Sequence, residues 1–181
     1  MHYLAVFSEG LRRVCGVDLF EHPTWKRNPI YLCCEMLPGG GAINNFNDNH
    51  YDGVTTGYWM MAARSTGDQA GPWVWEHFSG PGGSGELFRG GGTVELPYVV
   101  VHRDPAIGGS SPADLGISKV HHFDSIQHLV MRTGWEPDDL HVTFQCTPYE
   151  ADVHAHTQAD RMNLTMYGLG ERLVIDSGYG L

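Results

Sequence analysis

The first half of the chain alternates apolar and polar residues with the spacing of amphipathic helices. Leu4, Phe7, Leu11 and Val14 recur at three- and four-residue steps and predict a first helix, which Gly16 ends. Three further helices are predicted in this half, separated by loops rich in proline, glycine and asparagine. They span Ile30 to Met36, Gly57 to Arg64 and Gln69 to Phe78.

Beyond the glycine-rich stretch 79–92, the pattern changes to a period of two, which is typical of strands with one apolar and one polar face. Gly168-Leu169-Gly170 predicts a hairpin turn that would bring Asp176 back opposite Met162. The predicted strands are Tyr98 to His102, Ser118 to Phe123, His128 to Arg132, His141 to Cys146, Met162 to Tyr167 and Arg172 to Asp176.

Helices followed by strands, without alternation of the two, predict an α+β fold in two parts. The glycine-rich stretch suits a flexible connection between them. We therefore expect a helical domain over residues 1–92, which includes the connection, and an antiparallel sheet or sandwich over residues 93–181.

Charge and hydrophobicity limit the classes of partner. The formal net charge of −10 argues against nucleic acid, because phosphate binding needs a basic surface. No uninterrupted apolar run approaches the roughly 20 residues that a membrane span needs. The four cysteines form no Cys-x-x-Cys pair, so neither a thiolate zinc site nor a thioredoxin-like motif is indicated.

Two histidines near the end of the chain are the best candidates for chemistry. In a strand, His154 and His156 would project from the same face and could bind one metal ion or one substrate. Asp160 and Asp176 supply carboxylates nearby in the sequence. An isolated His-x-His pair is more often two exposed side chains, so the surrounding motifs decide its interpretation.

Other histidines and the tryptophans are weaker candidates. His121, His122 and His128 flank a predicted strand turn, where solvated side chains explain them better than a metal site. Three tryptophans could stack on sugars, although burial between helices is the more common use of such residues. These are Trp59, Trp73 and Trp75.

The order of motifs from His154 onwards resembles that of the heparinase II/III-like polysaccharide lyases. His154-Ala155-His156 is followed by Asp160 and Asn163, by the turn Gly168-Leu169-Gly170-Glu171, and by Asp176-Ser177-Gly178-Tyr179. The family commonly has a His-x-His-x-Asp-Gln-Asn cluster, a strand, a Gly-Glu turn and an Asp-Ser-Gly-Tyr sequence. Because residues are inserted around Asp160 in this chain, the roles of Asp160 and Asn163 stay open.

The resemblance implies a fold and a reaction. Residues 1–92 would be the last helices of an α/α toroid, and residues 93–181 would begin an antiparallel β-sandwich. The reaction would be β-elimination at a uronic acid residue of an acidic polysaccharide or oligosaccharide. The parent protein would lie in the periplasm or be secreted.

The resemblance also implies roles for individual residues. His154 matches the catalytic or substrate-contacting histidine of the family, while His156 and Asp176 match two ligands of a structural zinc ion. Tyr3 is a candidate for the catalytic tyrosine, although packing on a helix face is as good an explanation for it. The third zinc ligand would be a histidine beyond Leu181.

The expected site is thus incomplete, and we expect the chain to be a fragment that is inactive alone. Two other functions stay open. The first is a noncatalytic carbohydrate-binding or structural β-sandwich of the same fold, which the acidic charge favours. The second is a zinc hydrolase that would use His156 and Asp176 to activate water. Neither the polymer nor the oligomeric state is predicted.

Overall fold

The computed structural model of the chain describes residues 2–40, 42–44, 57–78, 97, 99–146 and 162–176. The chain divides into two compact units, and each is described by itself. The first comprises Met1–Cys33 and Gly53–Ile117, and the second comprises Cys34–Asp52 and Ser118–Leu181. The glycine-rich stretch 79–92 lies outside the described residues. The α+β fold class is confirmed, because helices and an antiparallel sheet are both present.

Three of the helices lie within about two residues of their predicted bounds, whereas the helix predicted from Ile30 begins six residues earlier, at Thr24. The helices are α1 (His2–Cys15), α2 (Thr24–Glu35), α3 (Trp59–Thr66) and α4 (Ala70–Phe78), with a 3₁₀ turn over Leu19–Glu21. The last two residues of α2 belong to the second unit. No helix among the described residues is both long enough and apolar enough to cross a bilayer.

Aromatic residues form the core of the first unit. The rings of Phe20 and Trp25 lie 4.8 Å apart, and Trp25 meets Trp59 edge to face at 6.2 Å. Trp59 and Trp75 are both almost fully buried, which confirms the packing interpretation for these two tryptophans. Because such rings bury large apolar areas, they account for much of the cohesion of this unit.

The apolar stripe of α1 does not face this core. The side chains of Phe7 and Val14 are 58% and 85% exposed, whereas Ala5 and Ser8 on another side of the helix are fully buried. The Ser8 hydroxyl donates to the Leu4 carbonyl at 2.7 Å, so the helix itself satisfies this buried polar group. The described residues of the unit thus leave an apolar helix face accessible.

The predicted strand from Tyr98 to His102 is wrong. Residues 99–102 are helical, and Val99 packs in a small cluster with Met60 and Trp75. Val99 and His102 are the buried members, three residues apart as a helix requires, while Val100 and Val101 are exposed. Tertiary packing of one valine has overridden the β preference of the Val-Val-Val run.

The second unit contains a five-stranded antiparallel sheet in sequential order, which confirms the remaining predicted strands. Each strand pairs with the one before it, so the connections follow a meander. The strand His128 to Arg132 was predicted at its observed bounds, and the others differ by one or two residues. The strands are β1 (Val120–Phe123), β2 (His128–Arg132), β3 (His141–Gln145), β4 (Asn163–Gly168) and β5 (Glu171–Val174).

A sheet with one solvated face is expected to bury its apolar face, but this sheet buries its polar face instead. The cross-strand rows of the apolar face are partly exposed, whereas the opposite face is buried and mostly polar. The apolar rows are Leu129, Phe144 and Leu164, and Met131, Val142 and Met166. The buried face carries His128, Val130, Arg132, His141, Thr143 and Thr165.

The buried polar face contacts residues 34–44 of the same unit. Nε2 of His141 donates to the carbonyl of Cys34 at 2.8 Å, and Arg132 donates to the carbonyl of Met36. The guanidinium of Arg132 also lies 3.8 Å from the ring centroid of Trp135. These side chains thereby donate hydrogen bonds to carbonyl groups at and just beyond the C-terminal end of α2. The last carbonyl groups of a helix need such donors, because no N–H group within the helix reaches them.

Asn44, Thr143 and Thr165 form a closed ring of hydrogen bonds within this buried face. The Asn44 amide nitrogen donates to the Thr143 hydroxyl at 2.7 Å, and the Thr165 hydroxyl donates to the Asn44 carbonyl oxygen at 2.8 Å. Because the single Thr165 hydrogen is used there, Thr143 must be the donor across the 2.6 Å bond to Thr165. All three groups are satisfied without water.

Replacing Thr143 by valine should lower the free energy of unfolding of the second unit by about 1–3 kcal/mol, because the Asn44 amide and the Thr165 hydroxyl each lose a partner. Denaturant titration measures the change. The double substitution Thr143→Val with Thr165→Val should cost less than the sum of the single changes, because both partners of one bond are then removed. Strictly additive costs would show that the ring does not act as a unit.

Candidate functional site

A hairpin between β4 and β5 carries Asp176 to its position. Leu169 and Gly170 form the turn with φ angles of 55° and 79°, the positive values that a type I′ hairpin requires at both central residues. Glycine adopts this conformation without the penalty that a Cβ atom brings. The predicted hairpin is confirmed, and an irregularity between Met166 and Tyr167 shifts the register by one residue.

Asp176 lies just beyond β5 and is buried, with 6% of its surface exposed. The amide nitrogen of Asn163, the first residue of β4, donates a hydrogen bond to Oδ2 of Asp176. The sequence had placed Asp176 opposite Met162, one residue away from this partner. The structure therefore brings together two residues that are 13 positions apart in the sequence, and the hydrogen bond from Asn163 orients the Asp176 carboxylate.

A small pocket adjoins this carboxylate in the second unit. Its lining mixes polar groups with aliphatic side chains, and its volume of about 10 Å³ is close to that of one water molecule, too small for a sugar residue. The hydroxyl of Thr165 and the amide of Asn44 link the pocket to the hydrogen-bonded ring described above. The lining residues are Leu37, Asn44, Thr165, Met166, Tyr167, Arg172, Val174, Ile175 and Asp176.

The carboxylate of Asp176 suits a zinc ligand. Zinc binds carboxylate oxygen as a ligand. Carboxylates that bind a metal are commonly oriented by a further hydrogen bond, such as the one from Asn163. The described residues contain no group of three histidine, cysteine, aspartate or glutamate side chains that could hold a metal. His156, the other predicted ligand in this chain, lies outside the described residues.

The remaining predicted site residues are only partly described. His154, Asp160 and Ser177-Gly178-Tyr179 lie outside the described residues. Tyr3 lies in the first turn of α1, and its side chain is 89% exposed. Tyr3 belongs to the first unit and Asp176 to the second.

A buried carboxyl and imidazole pair is the feature that sequence reasoning missed. His128, expected to be solvated, is 1% exposed, and its Nδ1 lies 3.4 Å from Oε1 of Glu35. Neither carboxyl oxygen of Glu35 has a well-aligned hydrogen-bond donor among the described residues. The only signal in the sequence is that His128 shares a strand face with Val130 and Arg132. The alternation of residues does not show whether that face is buried or exposed.

Burial determines the protonation of this pair. It raises the pKa of Glu35 to about 8, and Asn44 and Arg132 offset it only in part. Burial likewise lowers the pKa of His128 to about 4. Near neutral pH both groups are therefore uncharged, so the pair avoids the cost of an isolated buried charge.

His141 adds a second neutral imidazole to the buried face. Its Nε2 must carry the proton, because the Cys34 carbonyl can only accept. Burial, assisted by the Arg132 guanidinium, lowers the pKa of His141 to about 4. Its Nδ1 has no hydrogen-bond partner among the described residues. These groups hold the end of α2 on the sheet rather than facing a substrate.

The chain matches no protein-family model, and no curated protein is similar enough to be matched to it. The family resemblance of the motifs between His154 and Tyr179 therefore stays a prediction.

Proposed function

We propose that the chain forms part of a polysaccharide lyase that acts by β-elimination on a polysaccharide containing uronic acid, of the heparinase II/III-like kind. The observation that carries the proposal is the buried Asp176 at the end of the β4–β5 hairpin, oriented by Asn163. This arrangement agrees with the resemblance, because a strand, a glycine-containing turn and an aspartate follow one another in the order that the resemblance implies.

Two further observations support the finer architecture. The partly exposed apolar rows of the sheet, such as Met131 and Leu164, are suited to packing beneath a second sheet, as in a β-sandwich. The exposed apolar stripe of α1, with Phe7 and Val14, is suited to packing against a neighbouring helix, as in an α/α toroid. We therefore keep both as parts of the proposal.

In the proposed reaction, a base removes the proton from C5 of the uronate, the bond from C4 to the leaving oxygen breaks, and a C4–C5 double bond forms. His154 takes or positions the C5 proton, and Tyr3, exposed on α1, protonates the leaving oxygen. Neutralising the neighbouring carboxylate makes the C5 proton more acidic. Zinc, held by His156 and Asp176, would stabilise the sheet around them.

The test is the nature of the products made by the full-length protein that carries this chain. Incubation with alginate, heparan and related polymers should produce new chain ends with the absorbance of a conjugated double bond. Ends that are all saturated would overturn the lyase and would favour the zinc hydrolase.

A noncatalytic carbohydrate-binding β-sandwich is the second candidate, and the net charge of −10 favours it, because an acidic protein repels the polyanionic substrate of a lyase but not a neutral carbohydrate. The observation that separates the two is turnover. Polymer binding by the full-length protein with no new chain ends of any kind would support this candidate over the lyase.

A further inference from the structure

Two arginines and one histidine of the first unit lie around a single glutamate, and a third arginine lies beside that histidine. Nε and Nη2 of Arg12 each donate to the carboxylate of Glu9 at 3.0 Å, and Nε of Arg13 donates to it at 2.6 Å. Nη1 of Arg64, on α3, lies 3.5 Å from Nδ1 of His102, which is 3.8 Å from Oε1 of Glu9. Helices α1 and α3 and the helical residues 99–102 thus contribute to one cluster.

The cluster carries more positive than negative charge. Glu9 is 7% exposed, and although burial alone raises its pKa, the hydrogen bonds from Arg13 and Arg12 bring it below its ordinary value. One carboxylate therefore faces two guanidinium groups, and the guanidinium group of Arg64 lies beside the neighbouring His102. Such an excess is notable in a protein with a net charge of −10. Because like charges held close together repel each other, binding of an anion would lower the electrostatic energy of the cluster.

His102 is neutral and does not change the charge of the cluster. A guanidinium group can only donate, so the lone pair of His102 Nδ1 faces Arg64 and the imidazole is neutral. The side chain of His102 is only 9% exposed, and burial lowers its pKa, which Arg64 reinforces. Within the described residues, Arg64 forms no ion pair with a carboxylate. His102 instead fixes the direction of its guanidinium group.

Two guanidinium edges of the cluster are open to ligands. The Arg13 side chain is 57% exposed and uses only its Nε within the described residues. Arg64 is exposed and uses only its Nη1 there. Each therefore has two neighbouring N–H groups that can meet the two oxygens of a carboxylate, the geometry in which arginine binds most strongly.

We propose that Arg13 and Arg64 form a binding site for the carboxylate group of a uronic acid residue in an acidic saccharide. The choice of uronate rests on the proposed lyase function, whereas the geometry requires only an oxyanion. Glu9 and His102 position the two arginines from beneath. The site lies in a unit with no residue of the Asp176 pocket, so it is distinct from that pocket.

Calorimetric titration of the full chain with a short oligouronate tests this site. The wild-type chain should bind the oligouronate and should not bind the same oligosaccharide after its carboxylates are reduced to alcohols. Arg13→Gln and Arg64→Gln should each weaken binding roughly tenfold, because each removes a charge-assisted pair of hydrogen bonds. Arg27→Gln is the matched control, since it removes one exposed positive charge elsewhere in the same unit and should leave the affinity unchanged.

Several results would overturn the site. They are equal binding by the wild type and the Arg13→Gln, Arg64→Gln double variant, an equal loss in Arg27→Gln, or binding of inorganic phosphate in preference to the uronate. The lyase is judged separately from its products. Unsaturated products with an unaffected double variant would remove the site and keep the lyase, while the expected binding losses with only saturated products would keep the site and remove the lyase.

Discussion

Replacing His154 by alanine in the full-length protein should lower the rate of β-elimination by about a hundredfold to ten-thousandfold, the usual contribution of a positioned general acid or base. The expected loss is in kcat, because in the proposed reaction the imidazole acts on the C5 proton during the chemical step. Affinity for the polymer should change little. Initial rates of double-bond formation over a range of polymer concentrations separate the two effects.

His122→Ala is the matched control for this change. His122 is an exposed histidine on β1, so its replacement removes the same group without disturbing packing. Its rate should equal that of the wild type. A His154→Ala variant that folds and retains its rate within about twofold would remove His154 from the chemistry.

The second large effect is on stability, and it depends on pH through Glu35. Its pKa in the folded chain is about 8, against 4.5 for the ordinary group, so the folded state holds a proton that the unfolded state has released. The stability that this provides is complete below pH 4.5 and is lost as pH rises through 8. His128 and His141, with pKa values of about 4, act in the opposite direction as pH falls below 6.5.

The second unit should therefore be most stable near pH 6.5. Below this pH the two histidines lower the free energy of unfolding, and above it the loss of the Glu35 contribution continues to lower it. Between pH 6.5 and 8 the unfolding free energy should fall by about 2 kcal/mol, since one pKa unit corresponds to about 1.4 kcal/mol. Hydrogen exchange of the β2 and β3 amides, corrected for intrinsic rates, measures the opening of this unit alone.

Glu35→Gln should abolish the alkaline fall in stability, because glutamine is neutral at every pH in this range. Glu136→Gln should leave it in place, since Glu136 is exposed in the turn between β2 and β3. The same fall in the wild type and in Glu35→Gln would mean that the buried carboxyl does not release its proton near pH 8.

The parts of the fold that depend on neighbouring residues could be predicted from the sequence. The β4–β5 hairpin follows from alternation on either side of a glycine-containing turn, and it places Asp176 near Asn163. Helices α1 and α4 likewise follow from local periodicity. In each case the information lies within a few residues, where spacing determines which side chains share a face.

The features that depend on residues distant in sequence could not be predicted. The pairing of Glu35 with His128 depends on the end of α2 lying on the sheet, which no local pattern encodes. The same contact makes the polar sheet face the buried one, contrary to the usual rule. Val99 is helical because Met60 and Trp75 surround it, although its sequence favours a strand.

The most direct test of β-elimination is to run the reaction of the full-length protein in water labelled with heavy oxygen and to measure the mass of the new chain ends. Elimination adds no water, so the proposed lyase should produce two new ends that both lack the label, and one of them should contain a double bond. Hydrolysis adds one water molecule across the broken bond. Heavy oxygen in the new ends, with no double bond, would contradict the elimination mechanism.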